Sequence, residues 1–426
     1  MERIERKKSI NKSIEERSRE MLSLLLFLAL WPSVIYCSYE YGGVIAGSSD
    51  GADGNIAKLA MLQSPLHIAF DSAGLLHFTD KNNHRVCKIL SNGKLIVIAG
   101  NGMEGYSGDN GLAINSKLSH PSGLAIDSKG DIFISDFGNN RIRKITVKTG
   151  VITTIAGDVK PKSPEKKTET IAGNYGNFPS SFQFKDRFPS EYLFNSATTK
   201  KESTNDLGDN ENAQYAKLDH PLGLAVDKYD NLYIADKGNN RVRKINARTN
   251  IISTIAGGDG TGNFGNKHFS GDGNLAVHAK LFYPADVAVD KAGNVYIADS
   301  GNNRIRVIHA KTGIIDTIAG IETGGFSDNK LAIEAKLRIP VGVDVDSDGN
   351  IFIADKGNNC IRKITKLSGV ISTIAGTGQA GINDDKAVSN PESIMLNNPS
   401  AIALDKSGNV FIADTNNHRI RRLNVK

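Results

Sequence analysis

Three titratable side chains, His67, Asp286 and Asp344, break a pattern that the rest of the chain keeps. Two residues after a recurring proline (Pro65, Pro121, Pro221, Pro284, Pro340 and Pro399) the sequence reads His67, Gly123, Gly223, Asp286, Gly342 and Ala401. Four residues after it, the series is Ala69, Ala125, Ala225, Ala288, Asp344 and Ala403. An imidazole and two carboxylates in place of small residues are types that ligate metals or hold polar ligands. Water in a channel, solvating three polar side chains, is the plainer account of the same residues.

A more regular set carries less chemistry. Fifteen residues after each proline stands an aspartate that opens an Asp-x-x-Asn-x-Arg string. The copies are Asp80, Asn83, Arg85; Asp136, Asn139, Arg141; Asp236, Asn239, Arg241; Asp299, Asn302, Arg304; Asp355, Asn358; and Asp414, Asn417, Arg419. Six copies at equivalent places argue for structure. The aspartate can accept turn amides, the asparagine tolerates left-handed backbone, and the arginine can reach back to the carboxylate. Cys360 takes the arginine's place in the fifth copy and reads as a tolerated substitution, since no histidine lies nearby in sequence to activate it. The strings Tyr106-Ser-Gly-Asp109 and Phe269-Ser-Gly-Asp272 raise calcium as a ligand of Asp109 and Asp272. Their spacing is not that of an EF-hand loop, and Gly-Asp is ordinary turn chemistry.

These residues must be positioned by short strands. Within Pro121 to Gly157, four β-branched runs of about 4–7 residues are punctuated by Gly, Asn and Asp, which predicts four antiparallel strands, A to D. Runs such as Ile132-Phe-Ile134 lack strict polar alternation and suit sheets covered on both faces. Five copies end in Ile-Ala-Gly, at Gly100, Gly157, Gly257, Gly320 and Gly376, and the period predicts a repeat architecture. Six small four-stranded sheets are the blades of a β-propeller. The sixth copy stops before its fourth strand, while Gly43-Val-Ile-Ala-Gly47 supplies the missing string. The N-terminal segment is therefore expected to complete the last blade and close the ring. In a six-fold ring blades 1 and 4 face each other, which would bring His67 and Asp286 together.

The motifs PSGLAID, DIFISD, Asp-x-x-Asn-x-Arg and TIAG resemble the NHL-repeat family of six-bladed propellers, over roughly residues 42–426. The Ser-Gly-Asp linker strings look like the extracellular type found in teneurins. The resemblance implies protein binding, RNA binding or an amidating lyase activity. The family's lyases use several histidines on inner strands as metal ligands, whereas here only His67 occupies one.

The 426 residues carry a net charge of +6, scattered along the chain, and no dense basic patch announces nucleic acid. Residues 1–20 form a polar leader. Residues 21–39 hold no charge and read as a signal peptide or a signal anchor, with the propeller, residues 40–426, on the translocated side. Whether translation begins at Met1 or Met21 is open. Three cysteines give no disulfide framework. Between blades 2 and 3 lies an insertion, residues 158–206, containing Phe182, Phe184, Arg187, Phe188, Tyr192 and Phe194, types that anchor interfaces. D-to-A linkers and B-to-C turns must share one face, which then collects every loop of variable length. The expectation is a monomeric, non-enzymatic module of the secretory pathway, binding a protein or ligand through that face without a cofactor. A propeller lyase or hydrolase with a metal at the channel mouth is the alternative, and a cytosolic RNA-binding propeller the third.

Overall fold

Each recurring proline begins a strand because it stands where a sheet has an edge. Proline cannot donate to a ladder and is tolerated on an edge strand. In the computed structural model, which describes residues 39–47, 56–157, 207–258, 269–383 and 390–425, the innermost strands are Pro65–Phe70, Pro121–Ile126, Pro221–Val226, Pro284–Val289, Pro340–Val345 and Pro399–Leu404. The aspartate fifteen residues later ends the second strand as the proline's cross-strand partner, as in Pro121 with Asp136 and Pro284 with Asp299. The constant spacing is thus a hairpin register.

Six antiparallel sheets result, making an all-β six-bladed propeller. In blade 2, strands A to D are Pro121–Ile126, Ile132–Asp136, Arg141–Thr146 and Val151–Ala156. The expectation of four strands per blade needs one addition. In blades 2, 4 and 5 the incoming linker lays a two-residue fifth strand, such as Gly111–Leu112, along the outer edge.

The absence of polar alternation has its explanation in the cores. Among the described residues there are six, each between consecutive blades. Val86 and Ala99 of blade 1, for example, pack with Leu124, Ile134 and Ile152 of blade 2. The last joins Ala401, Phe411 and Ile420 of blade 6 to Ile68 and Phe78 of blade 1. Ring closure follows the sequence expectation. Strand Tyr39–Ala46 pairs antiparallel with Arg419–Val425, Val44 opposite Arg421 and Ala46 opposite Ile420. Tyr39, the last residue of the uncharged stretch, already lies in this strand.

Inner-strand glycines allow the blades to approach. A Cβ on Gly123 would lie 1.9 Å from the Leu222 carbonyl oxygen of blade 3.

Candidate functional site at the channel

The Asp-x-x-Asn turn is a buried joint. Asp136 accepts the Ser119 amide on one oxygen (2.7 Å) and Asn139 Nδ2 on the other (2.9 Å). The arrangement recurs at Asp80, Asp236, Asp299, Asp355 and Asp414, all fully buried. Burial pushes Asp136, Asp299 and Asp355 up to about 6, against the opposing pull of their hydrogen-bond donors and arginines.

Two details of the expected turn are corrected. Asn139 sits inside the short 3-10 turn, and the left-handed residue is its neighbour Asn140, at φ 53°. The arginine that reaches the carboxylate is not Arg141 but Arg143. Its Nη1 lies 3.3 Å from Asp136, while Nη2 holds Asp109 of the linker at 2.7 Å. Arg243, Arg306 and Arg362 repeat the clamp with Asp209, Asp272 and Asp328. Arg421 uses Tyr41 Oη of the closing strand instead (2.6 Å). All five guanidinium side chains are completely buried. Arg141 lies over the Tyr106 ring and Arg304 over Phe269. Blade 1 has Cys87 at the clamp position, and there Arg85 takes the carboxylate, Nε to Asp80 at 2.8 Å. Asp109 and Asp272, the calcium candidates, are thus engaged by arginines, and among the described residues no three His, Cys, Asp or Glu side chains group to hold a metal. Cys87 and Cys360 are both buried thiols, held above their ordinary value by burial.

The left-handed residue of each turn also joins its blade to the next. The amide before each proline donates to it: His220 to Asn140 (2.7 Å), Tyr283 to Asn240, Ile339 to Asn303, and Asn398 to Asn359. His120 donates to His84 Nδ1 (3.2 Å) and Ser64 to His418 Nδ1 (3.0 Å). Six links form a closed circuit around the linker face. Asn303 and the linker residues Gly324, Gly325, Arg338 and Ile339 line one depression of about 210 Å³, so turn and linker share that face.

The three residues that break the pattern come together in the channel. His67 Nε2 lies 3.4 Å from Asp286 Oδ1, although blades 1 and 4 are not neighbours. Asp286 also accepts the amides of Val287 (2.9 Å) and of Val343 on blade 5 (3.0 Å). It fits because Gly223 has no side chain, a Cβ there falling 2.1 Å from Asp286 Oδ1. Asp344 repeats the device one blade on, accepting the amides of Val345 and of Leu404 on blade 6. Burial, aided by the charge of Asp286 and opposed by these amides and His67, raises Asp344 to about 7. His67 Nδ1 is buried with no hydrogen-bond partner among the described residues. The cluster can therefore tie blades 1, 4, 5 and 6 across the opening. A carboxylate-oriented imidazole is also the arrangement of a general base, but its second nitrogen is covered.

Phe182, Phe184, Arg187, Phe188, Tyr192 and Phe194 lie outside the described residues. Among the described residues no helix is long and apolar enough to cross a membrane. A position that sequence reasoning passed over is the one following each turn aspartate, where blades 1, 3 and 5 carry Lys81, Lys237 and Lys356.

Comparison with known proteins agrees with this architecture. A family model described as NHL repeat matches residues 118–145, 218–245, 283–308, 337–364 and 396–423. NHL repeat-containing protein 2 of Gallus gallus is 24% identical across 94% of this chain and 52% of its own length. Teneurin-1 of Homo sapiens is 25% identical across 84% of this chain and 14% of its own. The chain thus spans about half, or much less, of these relatives. A solved structural-genomics protein from Bacteroides thetaiotaomicron shares the fold with a TM-score of 0.58 at 18% identity, over 91% of this chain and 76% of that one. Five matched repeats, a sixth copy in blade 1 and the closed ring make this chain an NHL-repeat protein, built as a six-bladed β-propeller.

Proposed function

We propose that the chain is a non-catalytic recognition module whose linker face binds a protein partner along the secretory route. One observation carries the reading. The turn aspartates are turned inward into buried clamps, and His67 rests on Asp286 with Nδ1 covered. The linkers of unequal length instead gather on one face of a rigid ring, the usual setting for recognition. Its routing rests on the uncharged stretch 21–39.

The test is crosslinking capture of partners by three forms of the full chain. Replacing Phe182, Phe184, Phe188 and Phe194 with serine should weaken capture and leave the melting temperature unchanged. Replacing Lys129 and Lys228, on the opposite face, should leave capture intact. The reverse pattern would remove the linker face as the binding surface. A second reading, an enzyme using His67 as base, draws on the His67–Asp286 pair. It gains only if His67→Ala abolishes a hydrolytic or lyase activity of the purified chain.

A further inference from the structure

We propose that blade 5 holds a binding site for an arginine side chain of a partner protein, formed by the ring of Phe326 and the carboxylate of Asp328 where Cys360 replaces an arginine. The proposal deepens the linker-face reading and rests on it for the partner's being a protein.

Strand C begins with Arg85, Arg141, Arg241, Arg304 and Arg419 in the other five blades, and with Cys360 in blade 5. In blades 2 and 4 the linker delivers an aromatic ring that two strand-C arginines share. The guanidinium carbon of Arg141 lies 4.3 Å from the centre of the Tyr106 ring and that of Arg143 5.0 Å. Arg304 and Arg306 stand 3.8 and 4.6 Å from the Phe269 ring. Blade 5 brings Phe326 to the equivalent place. It follows Gly325, whose carbonyl accepts Asn358 Nδ2 as the Gly105 carbonyl accepts Asn139 Nδ2. Among the described residues only Arg362 lies over this ring, at 4.8 Å. Phe326 is 53% exposed, against 41% for Tyr106, while Phe269 is half-buried.

The linker carboxylate shows the same difference. In blade 3 Asp209 meets both arginines, Arg243 at 2.8 Å and Arg241 at 3.6 Å, and Thr254 Oγ1 accepts from Arg241 Nη1. In blade 5 Asp328 meets Arg362 at 3.1 Å and the amides of Asn329 and Thr373, with no second arginine among the described residues. Thr373 holds the register of Thr254, opposite the clamp arginine. The Asp328 side chain is 23% exposed, so a cation can approach it from solvent. Cys360 itself is completely buried, which places the opening at the ring and the carboxylate rather than at sulfur. Gly324 and Gly325, directly before Phe326, line the depression beside Asn303, so the ring follows a concave stretch of the linker.

The chemistry selects arginine. A guanidinium is planar and weakly hydrated, stacks on an aromatic face and donates in its own plane to a carboxylate. Phe326 and Asp328 supply those two contacts, and the molecule itself places arginine there in every other blade. A neutral side chain of the same shape keeps the stacking area but loses the charge that both contacts use.

The experiment is a proton magnetic resonance titration of the end-blocked peptide Gly-Arg-Gly with the full chain. Its controls are the peptide with citrulline, the neutral isostere, in place of arginine, and free arginine. Saturable binding in the millimolar range is expected, with citrulline at least tenfold weaker. The arginine δ-methylene protons should move upfield, as protons held over a ring do. Phe326→Leu should weaken binding at least tenfold and remove that displacement. Cys360→Arg should abolish binding by setting the chain's own guanidinium over the ring, and Tyr106→Leu should bind as wild type. Circular dichroism melting confirms that each variant is folded, and Phe326→Leu carries the test if Cys360→Arg is not. No saturation by ~10 mM, equal affinity for the citrulline peptide, or wild-type binding by Phe326→Leu or folded Cys360→Arg overturns the proposal. Tighter binding of free arginine than of the peptide makes the ligand a small molecule and overturns the protein partner. Peptide binding is read on the purified chain alone, so its failure is distinct from a failure of partner capture by the linker face.

Discussion

Arg141 and Arg143 stand two residues apart on one strand, hence on one face of it, and composition ranks them equally. Both guanidinium groups lie over the Tyr106 ring, but only Arg143 is fully buried and paired with carboxylates, those of Asp136 and Asp109. Removing one partner of a buried ion pair costs about 3–5 kcal/mol because the other charge is left behind. Arg143→Met should lower unfolding free energy by about that much in urea titrations followed by circular dichroism. Arg141→Met should cost less, about 1–2 kcal/mol, the scale of a half-buried cation–π contact. A larger loss for Arg141 would show the clamp to be misassigned. Residue choice was only partly legible here. The aspartate could be read because it never varies, but the arginine could not, because the linker aspartate that selects Arg143 is remote in sequence. His67, Asp286 and Asp344 were visible because they interrupt Gly and Ala. The alternating lysines were not, because their position has no consensus to interrupt.

At the level of the element, the B-to-C turn makes each sheet into part of a ring. Four turns accept the next blade's amide with asparagine; blades 1 and 6 use His84 and His418. An imidazole accepts through Nδ1 only while neutral. The His84 ring also meets the His120 ring edge-on at 4.7 Å. Burial, then the charges of His84 and Lys81, hold His120 below the ordinary imidazole value of 6.5, with Glu104 opposing. A lowered imidazole value means that the unfolded chain takes up the proton more readily. Stability from this junction is thus present above about pH 6.5 and lost as pH falls below it. His84→Asn installs the acceptor used in blades 2 to 5 and removes one imidazole of the pair. Between pH 7.5 and 5.5 the variant should lose less unfolding free energy than wild type, because the His84 charge that helps hold His120 down is gone. Identical pH slopes would show that the junction does not sense acid. Strand order was readable from β-branched runs and turn residues. This circuit was not, since it depends on which turn residue is left-handed.

The whole molecule differs from an open stack of repeats in having no terminal unit. In an open array each repeat contacts only its neighbours, and an end can fray without the rest. Here the strand Tyr39–Ala46 removes the end by pairing with Arg419–Val425. The missing Ile-Ala-Gly of the sixth copy made this legible from the sequence. What the sequence could not convey is how much the strand supplies besides its ladder. Ala46 belongs to the core between blades 6 and 1, and Tyr41 to the core between blades 5 and 6. Tyr41 Oη also stands where other blades place a linker aspartate, accepting from the buried Arg421. Deleting residues 39–47 therefore exposes a sheet edge, thins two cores and takes a partner from a buried cation. It should lower the melting temperature by more than about 10 °C and promote association through the bare Arg419–Val425 edge. Tyr41→Phe isolates one part of that loss. It keeps ladder and ring while removing the acceptor, so it should cost about 1–3 kcal/mol with the chain still monomeric by light scattering. If the truncated chain melts within a few degrees of wild type, the ring does not depend on this closure. If Tyr41→Phe alone matches the deletion, the buried arginine rather than the paired edge is what holds blade 6 in the ring.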